Sequence, residues 1–154
     1  MFVSQTVLGY LDRSGVDFDL VTHPHSACSH ETARAARIAP KELAKGVLMR
    51  GKDYMLAVVP ASRHVNAFAV SQLLGGELVT FALESEMPFI FRDCERGALP
   101  IVGEAFGIRT AIDDALLAVD DVYFEAGDHE RLVHLRHDDF TRLMRHQPHG
   151  TISH

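Results

Sequence analysis

The run GVLMRGKDYMLAVVP, residues 46–60, constrains this chain more than any other stretch. Two apolar segments flank a Gly-Lys-Asp turn and Pro60 closes the second, the pattern of a β-hairpin. A two-stranded hairpin is at best marginal alone in water, so this one needs further strands beside it and cover over its faces.

The rest of the chain supplies both. Ser4 can cap a helix running to about Arg13, with Val7, Leu8 and Leu11 on one side and Gly15 at its end. Val16, Phe18 and Leu20 alternate with polar neighbours as a strand does, and HPHSACSH (23–30) reads as a loop. Thr32 to Ile38 is a short helix stopped by Pro40, and Val65 to Leu74 is a helix ending at Gly75-Gly76. Leu78 to Phe81 reads as a short strand and Ala82 to Met87 as a helical turn. Arg92 to Gly107 reads as irregular, and Ala111-Ile112, Val122 to Glu125 and Leu132 to Leu135 as strands. Asp138 can cap a last helix carrying Phe140, Leu143 and Met144. Because hairpins and helices mix without strict alternation, the expected fold is α+β: one domain with a mixed, largely antiparallel sheet flanked by helices. Its expected extent is residues 1–146, with 147–154 a flexible tail. At 154 residues such a core needs no metal or disulfide to hold it.

Two cysteines, Cys28 and Cys94, make no disulfide framework and are expected as reduced thiols of a cytoplasmic protein. The opening MFVSQTVLGYLDRSG has no basic segment ahead of an apolar run, and no stretch approaches a membrane span. No membrane partner is expected. The net charge of -6 is unevenly placed: residues 27–66 hold seven basic side chains against three acidic ones, whereas 78–140 are strongly acidic. A polyanion could meet that segment (Arg34, Arg37, Lys41, Lys45, Arg50, Lys52 and Arg63) and be repelled elsewhere; a solvated basic face is the plainer meaning.

No nucleotide-binding fingerprint and no nucleophile elbow occurs. His23, His25, Cys28 and His30 are metal-ligand types without a standard metal spacing, so no metal and no cofactor is expected. Cys94 lies between Arg92 and Arg96, but Asp93 and Glu95 offset that positive field. Three signals remain. Lys45 stands at the edge of the first hairpin strand, where its stem can be anchored while its ammonium looks into a cavity or solvent. DCERGALPIVGEAFG (93–107) sets three glycines around one proline, a loop able to present backbone N–H groups to an oxyanion or a ribose. GDHERLVHL (127–135) puts His129 at a strand entrance, where it can hydrogen-bond a ligand.

In this order and at these separations, Lys45, GALPIVG and GDHE resemble the YbaK family. Those are the editing domain inserted in bacterial prolyl-tRNA synthetases and its free-standing relatives. The likeness runs from about Ser14 to Met144. It implies hydrolysis, in trans, of the ester joining a wrong amino acid to the 3′ end of tRNA, with a mischarged tRNA as partner and an aminoacyl-tRNA synthetase as a further one. The family's lysine falls on Lys45. Its glycine-rich loop falls on Gly97 to Gly103, so Gly97, Ala98, Leu99 and Gly103, with His129, are the implied substrate-binding residues. This chain departs from the motif at Ile101, which stands where a proline belongs, Pro100 coming one position early. A lysine is charged at neutral pH unless its pKa falls by about three units, so Lys45 is expected as a fixed cation rather than a base. The alternative is a non-catalytic module of this fold that binds an aminoacyl-tRNA or a small metabolite.

Overall fold

The computed structural model of the protein describes residues 2–26 and 28–154, the side chain of His30 excepted, so His30 lies outside what can be placed. The first helix, α1 (Gln5–Ser14), starts where the sequence says: the Ser4 hydroxyl accepts from the Val7 amide, and Gly15 closes it in the left-handed conformation at φ 68°. Then come β1 (Asp19–Thr22), α2 (Ser29–Ala36), and the hairpin β2 (Leu43–Arg50) and β3 (Tyr54–Pro60). After α3 (Ala67–Leu73) follow β4 (Thr80–Phe81), the one-turn α4 (Met87–Ile90), β5 (Arg109–Asp113), β6 (Asp121–Glu125), β7 (Arg131–Arg136), α5 (His137–Leu143) and β8 (His149–Gly150).

The strands form one sheet in the order β1-β7-β6-β2-β3-β5-β8, with β4 added on β2. The sheet is mixed, as expected. β1–β7, β6–β7, β2–β3 and β2–β4 are antiparallel, while β2–β6, β3–β5 and β5–β8 are parallel. The hairpin is central, and β3 is buried from Met55 to Pro60, which is why it reads as a continuous apolar run instead of an alternating one. Leu48, Leu56 and Val58 face a core shared with Val7 and Leu11 of α1 and Phe140 of α5. Met49, Met55, Ala57 and Val59 face the opposite one, closed by Val70 of α3.

Residues 147–154 do not behave as the flexible tail expected. β8 pairs with β5, and the buried Asp113 carboxylate accepts from the Ile152 amide (3.0 Å) and the Ser153 hydroxyl (2.7 Å). The polar sequence hid this, because the anchors lie far away in the chain: the Asp113 carboxylate, and the backbone of His64 and Asn66, which pairs with His154 and Ile152. Two smaller shifts have equally local causes. β1 begins at Asp19, after Phe18 has turned into the core, and Arg136 precedes α5 where Asp138 was expected to cap it.

Candidate functional site

Lys45 lies on β2, whose two neighbours on one edge do not meet. β6 runs in register with Leu43 and Ala44, and β4 joins at Met49 and Arg50, so the edge between them is open until the Ala82 amide reaches the Leu48 carbonyl. A cavity of about 110 Å³ occupies this gap. Lys45, Gly46, Gly97, Leu99 and Glu125 line it, with Ser29, Glu84 and Met87. A larger hollow of about 360 Å³, beside Phe2, Cys94 and Gly127, contains neither Lys45 nor Gly97.

The glycine-rich loop reaches β2 because residue 46 has no side chain. A Cβ there would stand 2.9 Å from the Pro100 carbonyl, closer than real contacts allow, and 3.0 Å from the Leu56 side chain, a tight contact. Ala98, Leu99, Ile101 and Val102 are buried in the core, so the loop is held by apolar packing. Ile101, standing where a proline was expected, is one of these anchors. Gly97 carries the turn at φ 83°, a conformation side chains disfavour. Of the N–H groups of Gly97, Ala98 and Leu99, that of Ala98 is spent on the Glu95 carbonyl. Those of Gly97 and Leu99 have no partner among the described residues.

Lys45 is partly exposed and makes no hydrogen bond or ion pair among the described residues. Burial of its stem lowers its pKa from the ordinary lysine value, the direction desolvation dictates for a cation.

His129 and Gly103 are placed elsewhere. His129 is buried at φ 61°, in a turn fixed by Asp128, which accepts from the Glu130 and Arg131 amides and pairs with the Arg131 guanidinium at 2.6 Å. Its Nε2 donates to the Arg96 carbonyl, one residue before Gly97, and its ring stands 5.3 Å from that of His25. It therefore braces the loop from behind and is not in the cavity lining. Gly103 is buried against Thr110 at the start of a 3₁₀ turn.

Glu125, at the end of β6, is a cavity residue that sequence reasoning passed over. It is 7% exposed; Oε1 accepts from the Thr32 hydroxyl at 3.0 Å, and Oε2 has no partner among the described residues. Burial first, opposed by the Thr32 hydrogen bond, pushes its pKa up to about 7. The signal was present: a glutamate closing the apolar strand VYFE, at a position in line with the half-buried Tyr123. The parallel pairing that sets it beside Lys45 was not readable.

Cys94 is no nucleophile. Burial and the neighbouring Asp93 carboxylate push its thiol up to about 12, so it stays protonated. Among the described residues, no three of His, Cys, Asp and Glu could hold a metal ion, and no helix is long and apolar enough to cross a membrane.

Solved structures share this architecture. A hypothetical protein superposes with a TM-score of 0.85 at 18% identity, over 97% of this chain and 100% of its own. A candidate trans-editing enzyme for prolyl-tRNA synthetase gives 0.83 at 19% identity, covering 99% of each chain. At such identities the likeness speaks for the fold. A search of curated proteins finds no significant match. Residues 23–143, which include Lys45, the Gly97 loop, Glu125 and His129, match the model of the aminoacyl-tRNA editing domain, and the chain therefore belongs to the aminoacyl-tRNA editing domain family.

Proposed function

We propose that the protein acts in trans to hydrolyse the ester between a small, wrongly attached amino acid and the 3′-terminal ribose of a tRNA. The observation that carries this reading is one cavity lined by Lys45, whose ammonium is unpaired among the described residues, and by Gly97 and Leu99, whose backbone N–H groups have no partner among those residues. Water attacks the ester carbonyl, and negative charge gathers on its oxygen. Lys45 and the two amides supply positive charge where that oxyanion forms, each well-aimed donor lowering the barrier by about 2.7–4 kcal/mol. The C–O bond to the ribose then breaks, and the ribose oxygen takes up a proton. The substrate's 2′-hydroxyl stands next to the reacting ester and serves to orient or deprotonate the water. Lys45 remains protonated throughout.

Cavity size supports a small amino acid. The space is about 110 Å³, so an alanine-sized side chain is the first to test. Arg34, Arg37, Lys41 and Arg63 are exposed and make no ion pair among the described residues, so they serve as contacts for tRNA phosphates. The structural relative described for prolyl-tRNA synthetase makes tRNA for proline the first carrier to test, with that synthetase as the first partner. Such work would be done in the cytoplasm.

The test is a panel of tRNAs carrying matched and mismatched amino acids, with uncharged tRNA as competitor. Hydrolysis of one or more small mismatched aminoacyl-tRNAs, inhibited by uncharged tRNA, is expected. Saturable binding without turnover would contradict it and point to the non-catalytic module; turnover indifferent to uncharged tRNA would point to a small-ester hydrolase.

A further inference from the structure

Lys45 and Glu125 occupy neighbouring positions. Leu43 pairs with Tyr123 and Ala44 with Phe124 in the parallel register of β2 and β6, so the next residue on each strand brings Lys45 beside Glu125 on one face, with strands about 4.8 Å apart. Both line the cavity, yet they do not form an ion pair with each other. The cavity thus holds a cation and an acid that leave each other unsatisfied.

The acid is held on one side only. Thr32 Oγ1 meets Glu125 Oε1 at 3.0 Å, Ser26 Oγ at 2.7 Å and the Cys28 carbonyl at 2.9 Å, which fixes the carboxyl against α2. Oε2 has no such partner among the described residues, and a buried acceptor left unpaired is costly, so a donor arriving with a ligand is favoured there. The other carboxylates near it are not equivalent. Asp128 is committed to Arg131, Glu95 is not in the cavity lining, and Glu84 is exposed, so its charge is screened by water.

The ligand that completes this arrangement carries a carbonyl oxygen for the cation and, two bonds from the carbonyl carbon, a cationic donor for the acid. An α-amino ester has that order of groups. We propose that Glu125 receives the α-ammonium of the aminoacyl group, so that the site accepts esters of amino acids with a free α-amine and rejects N-acylated ones. This rests on the deacylase reading above and goes further by naming the group that admits the substrate. Burial pushes this carboxyl's pKa up to about 7, and an approaching ammonium favours its ionised form.

The experiment compares alanyl-tRNA with N-acetyl-alanyl-tRNA in single turnover, for the wild type and Glu125→Gln. The wild type is expected to prefer the free amine at least about tenfold. Glu125→Gln is expected to lose that preference by slowing alanyl-tRNA alone. Equal rates on both substrates in the wild type, a comparison that needs no variant, would overturn the inference. So would equal slowing of both substrates by Glu125→Gln, the outcome of a general base or of a merely structural acid. If the wild type hydrolyses neither, the deacylase reading has failed, and binding of 3′-alanylamido-3′-deoxyadenosine against its N-acetyl form decides the present point. Tighter binding of the free amine supports it, and equal binding overturns it.

Discussion

A methyl group at residue 46 would meet the Pro100 carbonyl at 2.9 Å, and that carbonyl belongs to a loop locked by Ile101 and Val102. Gly46→Ala is therefore expected to push the Gly97 turn away from Lys45. We expect kcat/KM for a mischarged tRNA to drop at least about tenfold while the far-ultraviolet circular dichroism stays native, since a displacement near 1 Å can cost about 10²-fold. An unchanged rate would mean that the loop's approach to β2 is irrelevant. Glu125 makes a second prediction at this scale. Its pKa, pushed up to about 7, lies above the ordinary 4.5, so between those values the folded state holds a proton that the unfolded chain has released. The stability it contributes is complete below about pH 4.5 and lost as pH rises through 7, in all up to about 3 kcal/mol. Urea unfolding of Glu125→Gln between pH 5 and 8 should show a flatter dependence than the wild type; equal slopes would contradict the buried, protonated acid.

At the scale of elements, what the sequence revealed follows how local the cause is. The Ser4 cap, the Gly15 stop and the hairpin depend on residues close in the chain, and they appear where patterning puts them. The gap between β6 and β4 along β2 depends on a parallel pairing across about eighty residues, which no local pattern encodes. The site is accordingly legible only in pieces: Lys45 and Gly97, expected from their motifs, line one cavity, no local pattern sets Glu125 beside them, and His129, expected to meet a ligand, turns to the Arg96 carbonyl instead. The docked end of the chain failed for the same reason. Asp113→Ala removes the acceptor for the Ile152 amide and the Ser153 hydroxyl and is expected to cost about 2–3 kcal/mol. A lower urea midpoint at unchanged slope, with faster proteolytic trimming of 147–154, is the expected result. An unaltered midpoint would show that β8 pairing and the backbone bonds to His64 and Asn66 secure the terminus without the carboxylate.

The whole molecule is acidic, so a polyanion must be met locally. Four exposed cations, Arg34, Arg37, Lys41 and Arg63, give an expected slope of about -3 to -4 for log K of tRNA binding against log salt, and Arg34→Ala should reduce it by about one. A slope near zero would remove the electrostatic footprint. The central claim is that a fixed cation and the free amides of the Gly97 turn act together on the ester of a mischarged tRNA. Its most direct test is single-turnover deacylation of alanyl-tRNA for proline by wild type, Lys45→Ala and Lys45→Arg. The account predicts a loss of about 10²–10³-fold in Lys45→Ala and partial retention in Lys45→Arg, which keeps the charge but not the shape. Wild-type rates in Lys45→Ala would contradict it.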